Sequence, residues 1–523
     1  MNKKYKTHMD RGKEDNIKII YRTVLLTLSV FTILEILVFP DFSNLFGCIT
    51  FILGWILLYN IVLKTDRIKC FLPYFSMLGL GLSFFWLPLV ITFLEGKPLT
   101  FRFENPYLTF FNQFINLSML ICAYRFCFSF YRQNNVIHHL WEKIGYFRAP
   151  SDKQVWVLSL IGFLSYVYLL IIQGSDEAEA ENLGFAGHLF QVLRGFAAFP
   201  AILLFKNTYG GKGKYKNYLL LSGYFAIFIA LGISTGKRGQ ILMPFAALFM
   251  CYILPSILYN KKIFTTRNTI IIIVLVYLAT GPIADLAIAM ALGRDNQGHT
   301  SSSKTFDNIT QLYDDKEALH NMYQMYMSSM DNGGDNDYGW SEYYVDNILL
   351  DRFCNLRVCD ATLYYANKLG YDNKIMQNYL YNYIIYQIPT PILKAFGYSE
   401  NKFVNAFSPG DLISTEGLGL NYQYKGYRVA GDTGIGLYLW GYKYYFIAFF
   451  IYLALFYFLS TIVDVRNRKV ILPLPQAISL MSIFFSFNNA VGICGPISTL
   501  LRTGWQDILV YCMVYWIVRK FFR

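Results

Sequence analysis

The stretch KTDRIKCFLPYFSMLGLGLSFFWLPLVITFL, residues 64–94, decides the fold class. It opens with Lys64, Arg67 and Lys69 and then runs from Phe71 to Leu94 without a charge. As a helix rising 1.5 Å per residue, such a run is roughly 36 Å long, enough to cross the ~30 Å hydrocarbon layer of a bilayer. Lipid offers backbone amides and carbonyls no partner, so a single run this apolar crosses as a helix that satisfies its own backbone. The cations before it mark a cytoplasmic flank, the side on which Lys and Arg are retained.

The pattern repeats outward in both directions. Apolar runs lie at about 23–39, 43–63, 71–94, 107–131, 154–173, 186–205, 217–234, 240–259, 268–292, 435–463, 470–490 and 503–519. They predict an all-α polytopic membrane protein with about 12 transmembrane helices. Of the 523 residues, 55% are hydrophobic and 15% charged, whereas soluble domains carry about a quarter charged residues. Seven cations precede the first run, and every second gap after it is basic, with clusters at 64–69, 132–153, 206–216, 261–267, 466–469 and 519–523. This alternation places both termini in the cytoplasm. It assigns residues 1–292 to helices 1–9, 293–434 to a large extracytoplasmic loop and 435–523 to helices 10–12. The basic tail before the first run has no cleavage site after it and no lipidation signal, as expected for the flank of an uncleaved anchor.

The formal net charge of +12 is a topology signal. Segment 293–434 holds 11 Lys and Arg against 17 Asp and Glu, a net of −6, and the rest of the chain carries +18. The cations sit in short clusters between apolar runs, not on one folded face, which argues against nucleic acid as a partner. The same segment holds 17 of the 42 Tyr. Tyrosine suits stacking on sugar rings, and it equally suits an aromatic belt at the membrane surface. Within the segment, 293–339 is rich in Ser, Asp, Asn and Gly, 340–370 reads as a helical stretch, 374–388 as a helix stopped by Pro389 and Pro391, and 408–436 as a Gly-rich return. Cys354 and Cys359, five apart in an expected helix, are too far apart for a disulfide. Asp331, Asp335 and Asp337 alternate as oxygen ligands but lack the closing glutamate of a calcium loop, and the six His show no zinc spacing. Neither metal nor cofactor is expected.

Cations on the outward side run against the orientation bias and ask for a local reason. Ser234-Thr-Gly-Lys-Arg-Gly239 joins two runs with almost no loop. Its Lys237 and Arg238 stand beside small residues whose backbone amides can cradle an anion, or else they meet lipid headgroups. Arg194 should lie about 10 Å along the sixth run. Arg428 precedes the tenth run and Arg502 the last. A shared anionic ligand, or separate acidic partners, would account for these positions.

Several of these segments resemble a known family. Ser234–Gly239 is similar to the small-residue-plus-arginine turn of Wzy-type O-antigen polymerases, the oligosaccharide repeat-unit polymerases. Arg352-Phe353 and the stretch to Gly370 resemble the arginine-started part of their large loop. Tyr386-Gln-Ile-Pro389-Thr-Pro-Ile-Leu-Lys394 looks like the segment after that helix, and Gly431-Asp432 through Gly441 looks like their return into the membrane. The likeness covers under half of the chain. Thr390 stands where the family often has Arg, and no Pro follows Lys394.

The resemblance implies a GT-C-like helical fold in the bacterial inner membrane. It also implies glycosyl transfer at the periplasmic face, joining undecaprenyl-diphosphate-linked oligosaccharide repeat units into a surface polysaccharide such as that of lipopolysaccharide. Membrane lipid is then a partner, and there is room for a chain-length regulator. On this view Arg194, Lys237, Arg238, Arg352, Arg428 and Arg502 meet the diphosphate leaving group. Asp432 is the first choice for the base that deprotonates the incoming hydroxyl, with Glu416 and His320 in reserve. Asp432 could instead cap a helix. An O-antigen ligase-type transferase, or a glycolipid flippase or transporter, would share much of this pattern.

Overall fold

The computed structural model describes residues 15–133, 135–173, 184–234, 238–261, 270, 274, 277, 280–295, 302–331, 340, 342–388, 390–398, 407–419, 428–487 and 491–522. Among these the chain is helical apart from one antiparallel ribbon, Asp464–Arg466 with Lys469–Ile471. Six helical stretches are long and apolar enough to cross a membrane: Asn16–Val38, Phe42–Leu63, Phe71–Leu94, Pro106–Phe130, Leu189–Thr208 and Asp432–Thr461. Shorter apolar helices occupy Tyr218–Gly232 and Met243–Tyr259. Leu26, Ile33, Leu37, Leu53, Phe126, Phe446 and Phe450 point outward and exposed from these helices, a surface suited to lipid and costly in water.

The runs are less regular than their composition suggests. At Trp86 the backbone leaves helical geometry (φ −142°, ψ −61°), and Pro88 follows with no N–H to donate, so the quoted stretch splits into Phe71–Phe85 and Leu87–Leu94. The run expected at 470–490 differs most. Its start is a strand, and the remainder forms two short helices, Leu474–Ile478 and Leu480–Phe484. Pro473 precedes them, Pro475 opens the first, and Ser479 between them leaves helical geometry (φ −79°, ψ 1°). This broken segment presses on the bundle. A Cβ on Gly79 would lie 1.7 Å from the Phe484 carbonyl oxygen, so only glycine fits there.

The last helix begins well before the expected 503. Cys494–Ser498 passes into a π-helical turn, Thr499–Thr503, and continues as Gly504–Phe521. Arg502, expected just outside the membrane, is therefore about 12 Å inside a continuous helix. Similarly, Arg194 ends the helix Gly184–Arg194 and is followed by a 3₁₀ stretch, Gly195–Thr208.

Segment 293–434 is more helical than its composition indicates. The polar stretch 293–339 contains Ser302–Asp314 and Lys316–Asp331. The helical stretch expected over 340–370 holds two helices, Ile348–Cys354 and Arg357–Leu369, parted at Asn355 and Leu356. The Gly-rich return holds the helix Pro409–Leu418. There Ser408 and Asp411 form a reciprocal capping box, and Gly419 closes the helix at φ +66°. All nine cysteines, Cys354 and Cys359 among them, are free thiols.

One core runs through both parts of the chain. Tyr344, Leu363, Tyr365 and Tyr379 of the large segment belong to the same buried cluster as Phe51, Phe110, Tyr438 and Tyr444. The joint is made by Asp360. Its carboxylate, fully buried, accepts hydrogen bonds from the backbone N–H of Glu104 (2.7 Å) and Asn105 (3.0 Å), from Thr109 Oγ1 (2.9 Å) and from Arg357 Nη1 (2.9 Å). It thereby ties Arg357–Leu369 to the first turn of Pro106–Phe130, where amide groups lack helical partners and favour an anion. Arg357 is itself buried and reaches Glu104 at 3.5 Å.

Asp360→Ala strands a buried guanidinium and three other donors, and should cost about 3–5 kcal/mol. Thermal unfolding of the protein in detergent should show a markedly lower Tm, with proteolysis within 340–370 appearing first. An unchanged Tm would rule out this joint as the main tie.

Candidate functional site

Asp432 is the first residue of the helix Asp432–Trp440, whose N-cap is Gly431. Its side chain does not cap that helix. It turns into the bundle, where Oδ2 accepts hydrogen bonds from the hydroxyls of Tyr444 and Tyr452, each at 2.8 Å. Oδ1 is enclosed and has no hydrogen-bond partner among the described residues. The geometry follows from the reversal at Gly441 (φ +55°), after which Tyr444–Thr461 runs back past Asp432 and presents both phenols to it. On the other side, Asn116 Oδ1 lies 3.5 Å from the Tyr444 hydroxyl, and the Tyr445 hydroxyl donates to Asn112 Oδ1 at 2.5 Å. Asn112, Gln113 and Asn116 are all buried. Polar side chains on an apolar helix are expensive to bury and signal function by default. Opposite Oδ1 is Gly492 (φ +49°), where a Cβ would come within 3.5 Å of that oxygen.

Gly492 leads directly into the helix starting at Cys494, which carries a second centre. A cavity of about 380 Å³ is lined among others by Gln191, Ser479, Arg502, Thr503, Gln506 and Asp507. Arg502 lies in the π turn Thr499–Thr503, and its Nε donates to Gln506 Oε1 at 3.0 Å. The Trp505 indole N–H donates to the Leu500 carbonyl oxygen in this turn at 2.9 Å. Single π turns of this kind gather at functional sites. Val192 and Gly195, on either side of Arg194, also line the cavity. The sixth and last runs thus bring their arginine-bearing stretches to one place.

A third cluster joins Arg352 and Arg428. Both lie close enough to act electrostatically on Glu342, whose Oε1 accepts the Val429 N–H at 2.7 Å and the Trp340 indole N–H at 3.4 Å. Arg428 is held in place, its Nη1 donating to Ser414 Oγ at 2.6 Å and its N–H to Asp411 Oδ1 at 3.1 Å. Arg352 is exposed. Burial raises the Glu342 carboxyl above its usual range, against the Val429 N–H and the two arginines. Next to it, burial pushes Asp351 up to about 7, opposed by hydrogen bonds from Asn355 and the Val345 N–H.

The remaining expected residues are placed apart or lie outside the described residues. Lys237 is outside them, and of Arg238 the backbone opens the helix Arg238–Tyr259 while its side chain is outside them. Glu416, half-buried in Pro409–Leu418, stands beside Tyr438 and not beside Asp432's carboxylate. His320 pairs with Asp285 at 3.3 Å, as does Lys316, within the separate apolar cluster of Ile288, Leu292, Ile309 and Leu319. It does not join the Asp432 group. Among the described residues no group of three acidic, His or Cys side chains could hold a metal ion. Asp335 and Asp337 are outside them.

Sequence reasoning missed Tyr444, Tyr452, Glu342 and Asp507. Asn112, Gln113 and Asn116 in the fourth run, and Gln506 and Asp507 in the last, carried the available signal: polar groups inside stretches otherwise written for lipid. No known protein family, curated protein or solved structure matches the chain.

The arrangement offers a carboxylate fixed by two phenols with one oxygen left for a further donor, and a cation-bearing cavity one helical segment away. Asp351 gives the pH dependence of the surroundings. Unfolded, it releases its proton near 3.8, and folded it keeps the proton up to about 7. The folded state binds more protons between those values, so stability falls as pH rises through that window. Asp351→Asn cannot ionise and should narrow the difference in Tm between pH 5 and pH 8. A variant with the wild-type difference would refute the assignment.

Proposed function

We propose that this chain is a polytopic glycosyltransferase of the bacterial inner membrane that polymerises undecaprenyl-diphosphate-linked oligosaccharide repeat units at the periplasmic face. In this reading it crosses the membrane about twelve times with a GT-C-like arrangement, and both termini are cytoplasmic. The observation that carries it is the buried Asp432 carboxylate, held on Oδ2 by Tyr444 and Tyr452 with Oδ1 unpartnered among the described residues; the Arg502 cavity supports it as a separate cation-bearing site. The anomeric C–O bond to the diphosphate breaks, and the sugar carbon takes the incoming hydroxyl oxygen. Asp432 Oδ1 accepts the proton of that hydroxyl, while Tyr444 and Tyr452 hold the carboxylate. Arg502, with Arg194 nearby, meets the charge that develops on the departing diphosphate.

A second reading, a lipid-linked glycan flippase, is favoured by one feature. The broken segment Leu474–Phe484 borders the cavity, and discontinuous helices at a polar intramembrane site are common in transporters.

Purified protein reconstituted with a lipid-linked repeat unit separates the two. Arg502→Ala should remove roughly 2–4 kcal/mol of transition-state stabilisation, a loss of tens- to several hundred-fold in chain elongation. Arg502→Lys should recover only part of it, since lysine keeps the charge without the planar fork. Asp432→Asn should abolish elongation while the lipid-linked donor still binds. Elongation at the wild-type rate in both variants would reject the roles of Asp432 and Arg502, whereas no elongation by the wild-type protein, with transbilayer movement of the donor in its place, would reject the polymerase and support the flippase.

A further inference from the structure

The helix Lys374–Tyr386 is fixed to the bundle. The Asn373 N–H donates to the Tyr438 carbonyl at 2.8 Å, Gln377 Nε2 to the Leu439 carbonyl at 2.9 Å, and Ser498 Oγ to Gln387 Oε1 at 2.9 Å. The opposite face is exposed and changes character along its length. Lys374 and Asn378 are exposed near its start. Towards its end, and on through the short helix Thr390–Ala395, the exposed side chains become large and apolar, from Tyr381 at 61% exposure to Phe396 at 78%. Ile384, Ile388, Ile392 and Tyr398 complete this surface. Six such groups on about eighteen residues would be a costly patch in water.

We propose that this surface is inserted into the acyl region of the bilayer, so that 381–398 is a membrane-embedded part of the large segment and not a water-facing loop. Lipid is the occupant that continuity selects. Tyr371 packs edge-on against Tyr442 at 5.8 Å, and Lys443 reaches Asp372 at 3.6 Å. Tyr442 itself is exposed in the turn Gly441–Lys443, and Phe446 and Phe450 stand exposed on the apolar helix Tyr444–Thr461 that follows. The exposed face of the large segment thus prolongs a lipid-facing face that already exists. Its chemistry is that of an interfacial element: aromatic rings and isoleucines inward, with the exposed Lys394 able to reach phosphate headgroups. The inference stands whether the protein polymerises, ligates or transports.

The test uses the full chain in nanodiscs of phosphatidylethanolamine and phosphatidylglycerol. Cys122 is the exposed thiol and the other eight are buried, so Cys122→Ser supplies the background. Nitroxides are attached through Phe396→Cys, Tyr381→Cys and, for reference, Lys374→Cys. All three positions are exposed, and folding is checked by size exclusion. Phe396 and Tyr381 labels should collide severalfold more with oxygen, and severalfold less with a water-soluble nickel chelate, than the Lys374 label does. Nickel accessibility equal to that at Lys374 would overturn the proposal. So would exclusion of both reagents, which would mean that protein covers the surface, or dipolar broadening between labels, which would mean that a second copy does.

Discussion

The structure depends on a single carboxylate serving two clients. Asp360 has to satisfy the unpaired amides at the start of Pro106–Phe130 and, at the same time, neutralise the buried Arg357. A helix crossing lipid cannot leave its end groups to chance, and here those groups are covered by the large segment, where water would otherwise solvate them. The result is that the segment and the bundle share a core. Tyr344, whose hydroxyl donates to the Leu99 carbonyl at 2.7 Å, and Tyr438 pack as parts of one interior. The Asp432 cluster sits at that seam, which explains how a side chain at the end of a polar segment comes to be enclosed among intramembrane helices.

Most of the helical framework was legible because lipid makes hydrophobicity nearly sufficient. The run 43–63 appears as Phe42–Leu63 and 107–131 as Pro106–Phe130. Composition could not reveal where a run is broken. The segment 470–490 is as apolar as its neighbours, yet Pro473, Pro475 and Ser479 divide it, and the strand at its start is paired through a tight turn with Asn467 and Arg468 both at positive φ. Polar composition misled in the opposite sense at 293–339, where propensity alone did not announce Ser302–Asp314 or Lys316–Asp331. The helix Pro409–Leu418 was announced, by Ser408 three residues before Asp411, and the glycines around it hid the signal.

The site was legible in pieces. Asp432 could be singled out by its position at the return into the membrane, and Arg502 by its charge. Their surroundings could not, because Tyr444 and Tyr452 are two among 42 tyrosines, and only the reversal at Gly441 distinguishes them. Charge counting also grouped Arg428 with Arg502 as equivalent outward cations. In the folded chain they do different things. Arg428 is committed to Ser414 through its guanidinium and to the Asp411 carboxylate through its backbone N–H, beside Glu342, whereas Arg502 lines a cavity.

The π turn at Thr499–Thr503 has a bearing on how this chain can vary. Such a turn accommodates one residue more than a regular helix would over the same rise, and it offsets everything after it by about 100° around the axis. The buried Tyr511 and Tyr515 therefore stand in the register that the surplus residue sets. The indole of Trp505, held between Trp141 and Phe458, bonds the Leu500 carbonyl within the turn. In a relative of this protein the turn and the tryptophan should come and go together. A chain shortened by one residue between 499 and 503 would form an unbroken α-helix and present a different face of its last segment to the cavity.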